Sequence, residues 1–449
     1  MPRSARWPRA WTSTTCWARW SASRVRADEP PARGQPHPDP VPALVPDPGD
    51  AVLVLAARAT RRRAPALRRR GAAAVAGRLR GQPVLGAGHR RSRAWPDVEA
   101  HPGDRARLRG LPGRAAGRGA GARAAVRPAA DAGGVSGDVI LVDTGFGDRP
   151  AFCAAWLVVE QGRAAFIDCG TLHSVPRMLA ALDAVGVAHD AVDYVIATHV
   201  HLDHAGGAGA LLRELPAATL VVHPRGAPHL VDPARLTASA RQVYGDALFE
   251  RSYGSLVPAP PERVRAAADG EVVELAGRPL LLAHTPGHAL HHLSVWDERS
   301  RAWFTGDAFG ISYREFDVGG RPFAIPTTSP VQFDPLQMKD SIRRLLATRP
   351  LACHLTHFGT VAGDVQRVGL RLVEQVDAMV ALAQFLADAP DRHAALVRAL
   401  TRLYVDRARI HGAADPERRV PELLDMDIEL NAQGLAVWLD RQGRRATPL

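Results

Sequence analysis

Four cysteines in 449 residues, Cys16, Cys153, Cys169 and Cys353, share no paired spacing. That scarcity excludes a disulfide framework and a cluster of thiolate metal ligands. It leaves Cys153 and Cys353 to be read as small buried thiols, and Cys169 as inert. The first residues lack the apolar core of a secretory signal, and no stretch approaches a membrane span, so the cytoplasm is the expected location. Lysine is missing from the first 135 residues, which carry 26 Arg against 9 acidic side chains, a charge of +17. The remaining 31 basic and 37 acidic residues give −6, so the net +11 of the chain sits entirely in front of a mildly acidic remainder.

That front segment also lacks apolar periodicity beyond Ala51–Leu55, and it is rich in Arg, Ala, Gly and Pro, with runs at Arg61–Arg63 and Arg68–Arg70. Such a composition cannot bury enough surface to offset the entropy of ordering. Residues 1–135 are expected to be a disordered extension, or GC-rich sequence outside the natural coding frame. Met178 lies too far inside the following domain to be the start, so the second reading needs a Val or Leu start codon. A nucleic-acid-binding tail ranks below both.

Regular patterning begins near Gly137. Asp138–Val142, Ala154–Val159 and Ala164–Ile167 read as strands, the last two joined by a Gln161-Gly162 turn, which implies a mixed or antiparallel sheet. Val175–Ala184 has helical spacing, Asp193–Thr198 is a strand, Ala205–Leu215 a helix opened by two glycines, and Thr219–His223 a strand. Residues 224–262 read as a loop-rich insertion with short helices and several prolines, lying over the site rather than in the core. Strands follow at Glu271–Leu275, Pro279–Ala283, His292–Trp296 and Ala302–Thr305, then a helix at Pro335–Ala347 and a strand at Leu351–Thr356. Beyond Gly363, Val365, Val368, Leu372, Val376, Met379 and Leu386 recur at helical steps. Further helices are expected at Ala394–Ile410, Glu422–Leu430 and Gly434–Leu439. The chain thus divides into the basic segment 1–135, a catalytic domain 136–362 and a helical C-terminal region 363–449.

One stretch concentrates metal-binding side chains. His199, His201, Asp203 and His204 fall within six residues, just after the apolar run Tyr194–Ala197. A strand continued through it puts His199 and His201 on one side. Neutral imidazoles and a carboxylate suit a borderline divalent ion such as zinc. His288 in Thr285-Pro286-Gly287-His288, Asp307 after Thr305-Gly306, and His357 before Phe358-Gly359 also stand at or just beyond strand ends. Seven nitrogen and oxygen donors exceed one tetrahedral ion and suit two. Two ions can lower the pKa of a shared water while one polarises a carbonyl or phosphoryl oxygen. Asp307 alone would be an ordinary turn residue; its register with the other motifs singles it out. His357 is preferred to His354, which lies inside its strand. His291 and His292 read as groups that orient ligands, Asp168 as a support, and His223 and His229 as surface or pocket rim. Tyr313 is a candidate contact to a substrate oxyanion or carbonyl.

These motifs, over about residues 137–360, resemble the metallo-β-lactamase-fold hydrolase superfamily. The resemblance is nearest to a prokaryotic hydrolase branch with a helical C-terminal region, and more distant to the glyoxalase II-like thioesterases and lactonases. It implies an α/β (α+β) fold, a four-layer αββα sandwich with metals at one edge. It further implies that His199, His201 and His288 bind a first metal, that Asp203, His204 and His357 bind a second, and that Asp307 bridges them. His201 stands where the flavodiiron branch carries glutamate, which resembles the hydrolytic branch. The persulfide dioxygenase branch keeps these histidines around a single iron. In hydrolytic members the nucleophile is a metal-bridging hydroxide oriented by Asp203. The expected protein is therefore a hydrolase with two zinc ions, iron or manganese being the other candidates, that cleaves an ester, thioester or lactone in a small-molecule substrate. The alternatives are a mononuclear iron oxygenase and a phosphodiesterase or nuclease. A membrane partner is not expected, nucleic acid is disfavoured, and the helical C-terminus suits a homodimer.

Overall fold

The computed structural model describes residues 126–128 and 138–446. Apart from the short strand Val126–Pro128, the basic segment expected over 1–135 lies outside the described residues. The strands of the described residues form two sheets. The first runs in chain order through β1 (Val126–Pro128), β2 (Val139–Asp143), β3 (Ala154–Glu160), β4 (Arg163–Ile167), β5 (Val192–Ala197), β6 (Thr219–Val222) and β7 (Val264–Ala266). It is antiparallel from β1 to β4 and parallel from β4 to β7. The expected hairpin between β3 and β4 turns at Gln161 and Gly162, both at positive φ (46° and 78°), as a twisted two-residue turn requires. The second sheet comprises β8 (Glu271–Leu275), β9 (Arg278–His284), β10 (Leu293–Asp297), β11 (Ala302–Gly306), β12 (Ala352–Leu355) and β13 (Gly359–Ala362). Its order is β13-β12-β11-β10-β9-β8, antiparallel except between β11 and β12. The three-residue β7 and four-residue β13 are too short for a periodic signal and were not anticipated.

Period-two alternation sorts side chains between layers. Trp156, Val158, Ile196, Leu280, Leu282, Val295 and Phe304 fill the space between the sheets. Their neighbours Ala155, Leu157, Val195 and Ala197 face the other way and pack with Met178, Leu182, Leu211 and Leu212, from the helices Val175–Val185 and Ala208–Glu214. On the outer side of the second sheet, Trp303 and Cys353 pack with Ile342 and Leu345 of the helix Pro335–Ala347. That cluster continues into Leu372, Val376, Leu400, Tyr404 and Ile428 of the C-terminal helices. The result is the expected αββα order, with the helical region sharing a core with the sandwich.

The C-terminal helices are Val365–Phe385, Arg392–His411, Pro416–Leu423 and Asp425–Ala446. Asp364 and Asp391 cap the first two by accepting from Arg367 N–H and Ala394 N–H at 3.1 and 3.4 Å. Two expectations need correction. The helix read over Ala205–Leu215 is split into Leu202–Ala205 and Ala208–Glu214. At the break, Gly207 N–H donates to Gly170 C=O at 2.9 Å. The last helix does not pause before Gly434 but runs through it. A Cβ there would stand 2.1 Å from Thr328 Oγ1, so this glycine admits a close neighbour rather than ending a helix. Asn431, one turn earlier, accepts from Thr328 N–H at 2.7 Å and donates to Pro326 C=O at 3.0 Å. No described helix is long and apolar enough to cross a membrane.

Candidate metal centre

Beyond β5 the chain runs irregularly to His201, which precedes the short helix Leu202–Ala205. His288 follows β9, Asp307 follows β11 and His357 follows β12. The C-terminal ends of strands from both sheets thus deliver their side chains to one edge of the sandwich. His199 Nε2 and His201 Nδ1 lie 2.9 Å apart. His288 Nε2 lies 3.1 Å from His201 Nδ1 and 3.3 Å from Asp307 Oδ2. The other oxygen of Asp307, Oδ1, is 3.4 Å from His204 Nε2 and 3.8 Å from His357 Nε2. Asp203 Oδ2 completes this second group, 3.3 Å from His357 Nε2 and 3.8 Å from His204 Nε2. All seven predicted donors come together, in two groups joined through one carboxylate. Donors held at metal-bonding distance around a tetrahedral ion stand about 3.3 Å from one another, the spacing observed here. His204 Nε2 and Asp307 Oδ1 are buried without a hydrogen-bond partner, and a shared cation would satisfy both. The residues present therefore fit a metal.

The groups behind the donors fix which nitrogen faces the centre. His204 Nδ1–H donates to Asp168 Oδ2 at 2.8 Å. His288 and His357 direct Nδ1 to the carbonyls of Thr327 and Phe152, at 3.2 and 3.1 Å. The Thr198 hydroxyl donates to Asp168 at 2.9 Å, so it accepts from His199 Nδ1, 3.2 Å away. In each case Nε2 is the nitrogen turned toward the centre. Asp168 is fully buried and also accepts from Thr198 N–H at 2.8 Å and from the Thr356 hydroxyl at 2.9 Å. It occupies the left-handed region at φ 58°, a conformation aspartate tolerates better than most residues.

Asp307 is held in a similar way. Its N–H donates to His292 Nε2 at 3.1 Å, leaving His292 Nδ1–H to donate to the Thr285 hydroxyl at 2.9 Å. Gly306 makes this approach possible, because a Cβ there would meet Thr198 Oγ1 at 2.6 Å and His292 Nε2 at 2.7 Å.

Burial keeps His199, His201 and His292 neutral, well below the usual imidazole range. Burial also pulls His204 down, but Asp307, Asp203 and Asp168 outweigh it and lift the imidazole to about 10. For Asp203, burial opposes ionisation, and His204 and His357 override it and hold the carboxyl well below its usual range. The second group thus attracts positive charge strongly.

Of the other candidates, His354 is buried within the sheet against Trp156 and Phe304, away from the donor groups. His291 Nδ1 accepts from Val200 N–H at 3.5 Å. The His223 ring lies 4.1 Å from that of His284, tilted by 44°, and His229 lies half-buried, 6.4 Å from the His291 ring. Tyr313 is buried, stacked on Phe152 at 5.4 Å, with its hydroxyl donating to Asp427 at 3.4 Å. Phe152 in turn meets His357 edge-on at 5.8 Å. Sequence reasoning missed Thr198 and Thr356. Each immediately precedes a predicted ligand histidine, and that repeated Thr-His pair was the available signal.

Two sheets between helical layers, with a histidine- and aspartate-lined metal centre at one edge, define a metal-binding hydrolase fold. The chain belongs to the metallo-beta-lactamase superfamily, whose family model matches residues 148–351. It is 30% identical over 227 residues to the metallo-beta-lactamase fold-containing protein ST1585 of Sulfurisphaera tokodaii, covering 49% of this chain and 78% of that protein. It is 29% identical over 140 residues to a hydroxyacylglutathione hydrolase of Acidiphilium cryptum, covering 31% of this chain and 42% of the relative. A third relative, the acyl-coenzyme A thioesterase MBLAC2 of Gallus gallus, is 29% identical over 162 residues, covering 34% of this chain and 56% of that protein. The chain spans less than two thirds of the length of these last two.

Proposed function

We propose that this hydrolase cleaves an ester, thioester or lactone bond in a small molecule at a centre of two divalent ions, zinc in the simplest case. His199, His201 and His288 would hold one ion, Asp203, His204 and His357 the other, with Asp307 spanning both. The observation that carries this reading is the position of Asp307, with Oδ2 3.3 Å from His288 Nε2 and Oδ1 3.4 Å from His204 Nε2. One carboxylate thereby serves two donor groups. The thioesterase named among the relatives supports the substrate class.

Bound ions would supply Lewis acidity, making a water nucleophilic near neutral pH and drawing charge from the scissile carbonyl. The protein does the rest. Among the seven donors, only His201 and Asp203 keep appreciable exposure, so substrate approaches over these two. Asp203 is held ionised and is placed to accept a hydrogen bond from the attacking water and so orient it. His292, Thr285 and Asp168 keep the donors from reorganising during the reaction. Metal quantification on the purified chain, beside a panel of ester, thioester and lactone substrates, tests the proposal. Two zinc equivalents with turnover of one of these classes support it, and inactivity of the fully loaded protein on all three contradicts it.

A further inference from the structure

The second donor group has a neighbour that the seven residues do not include. Cys153 is fully buried, and its Sγ lies within 4.8 Å of a ligand atom on each of Asp203 and His357. Its placement follows from how the start of β3 wraps His357. Phe152 C=O takes His357 Nδ1–H at 3.1 Å, and Ala154 N–H donates to Thr356 C=O at 2.8 Å. Cys153 C=O is fixed between them by Thr144, which donates from both its N–H and its hydroxyl, at 2.9 and 2.8 Å. The backbone is pinned on three sides, and the thiol contacts Asp203 C=O at 3.4 Å and the Thr144 side chain. The same group contains the two buried atoms that lack partners, His204 Nε2 and Asp307 Oδ1, which mark this side as built for a cation. The other described cysteines differ. Cys169 Sγ faces the carbonyls of His204 and Gly170 at 3.4 and 3.9 Å, and Cys353 shares the apolar cluster that also contains Cys153 but sits within β12, away from the donors. Neither joins a donor group among the described residues.

We propose that Cys153 is a sulfur donor to the second metal position. With it, Asp203, His204, His357 and Asp307 become a mixed nitrogen, oxygen and sulfur set that favours thiophilic ions such as zinc, cobalt and cadmium over manganese or magnesium. Binding converts the thiol and the divalent ion into a metal–thiolate bond and releases one proton to solvent. The inference rests on the two-ion reading of the centre, and the test separates the two.

The full-length apoprotein is titrated with cobalt(II) and followed by near-ultraviolet absorption. The expected result is uptake of two equivalents, with a sulfur-to-cobalt charge-transfer band that grows with the ion filling the second position. Cys153→Ser abolishes the band and weakens that equivalent by roughly 10–100-fold, while Cys169→Ser keeps both. Two equivalents with no band, or a band that survives Cys153→Ser, overturns the sulfur ligand while leaving the two-ion centre intact. Uptake of a single equivalent without a band overturns both. Cadmium-113 resonances of the wild-type protein read the same point without any substitution. One resonance displaced toward the sulfur-ligated range supports the proposal, and nitrogen and oxygen shifts alone overturn it.

Discussion

Asp168 Oδ2 stands 2.8 Å from Nδ1 of His204, and both residues are fully buried. The carboxylate also takes Thr198 N–H and the hydroxyls of Thr198 and Thr356. One aspartate, itself outside the donor groups, therefore sets the orientation of His204 directly and of His199 through Thr198. Asp168→Asn replaces acceptor capacity with an amide that must face existing donors. Metal affinity should fall by roughly 10–100-fold, with a parallel loss of thermal stability in the loaded protein. Isothermal titration with zinc reads the affinity, and an unchanged value would show that the imidazoles need no such anchor.

Asp307→Ala removes the carboxylate that serves both donor groups. Turnover should drop by at least roughly 100-fold and bound metal should fall below the wild-type count, while far-ultraviolet circular dichroism stays unchanged. Asp203→Ala should cost a comparable factor in turnover. Full activity in either variant would remove that residue from the mechanism.

Tyr313→Phe separates two roles for the hydroxyl. If it chiefly holds Asp427, the variant loses about 1 kcal/mol of stability and keeps kcat within a few-fold. A large fall in kcat with unchanged stability would instead make Tyr313 a substrate contact.

Asp427 gives a pH dependence with a defined sign. Burial raises its carboxyl from 3.8 to about 6, and its Oδ2 has no hydrogen-bond partner. Between about pH 4 and pH 6 the native protein keeps a proton that the unfolded chain has released. Stability therefore falls as pH rises through that window, by an amount on the order of 1–3 kcal/mol, and the penalty persists above it. Asp427→Asn should be more stable than wild type at neutral pH, and the difference should vanish near about pH 4. Urea denaturation at the two pH values measures it; an equal difference at both would contradict the assignment.

Much of this molecule is legible in its sequence because its strands are short, apolar on both faces and end in chemistry. His199, His288, Asp307 and His357 could be gathered from four separate places because each stands just beyond a strand. The strand pattern alone gave a mixed or antiparallel sheet, and the αββα order came from the family resemblance that the motifs carry. Less legible were features set by tertiary contact alone. Nothing local distinguishes Gly434 as a docking notch from a glycine that stops a helix. The three residues of β7 carry no readable alternation. Nor does the sequence around Cys153 announce a thiol beside Asp203 and His357, since that proximity arises only where β3 starts against the loop after β12.

The central claim is that Asp307 joins two metal positions, and counting ions tests it most directly. Inductively coupled plasma mass spectrometry on the active, exhaustively dialysed protein should find two divalent ions per chain, with zinc dominant. Chelation should abolish turnover, and two equivalents of zinc should restore it. One iron per chain in fully active protein would contradict the account and favour oxygen chemistry instead.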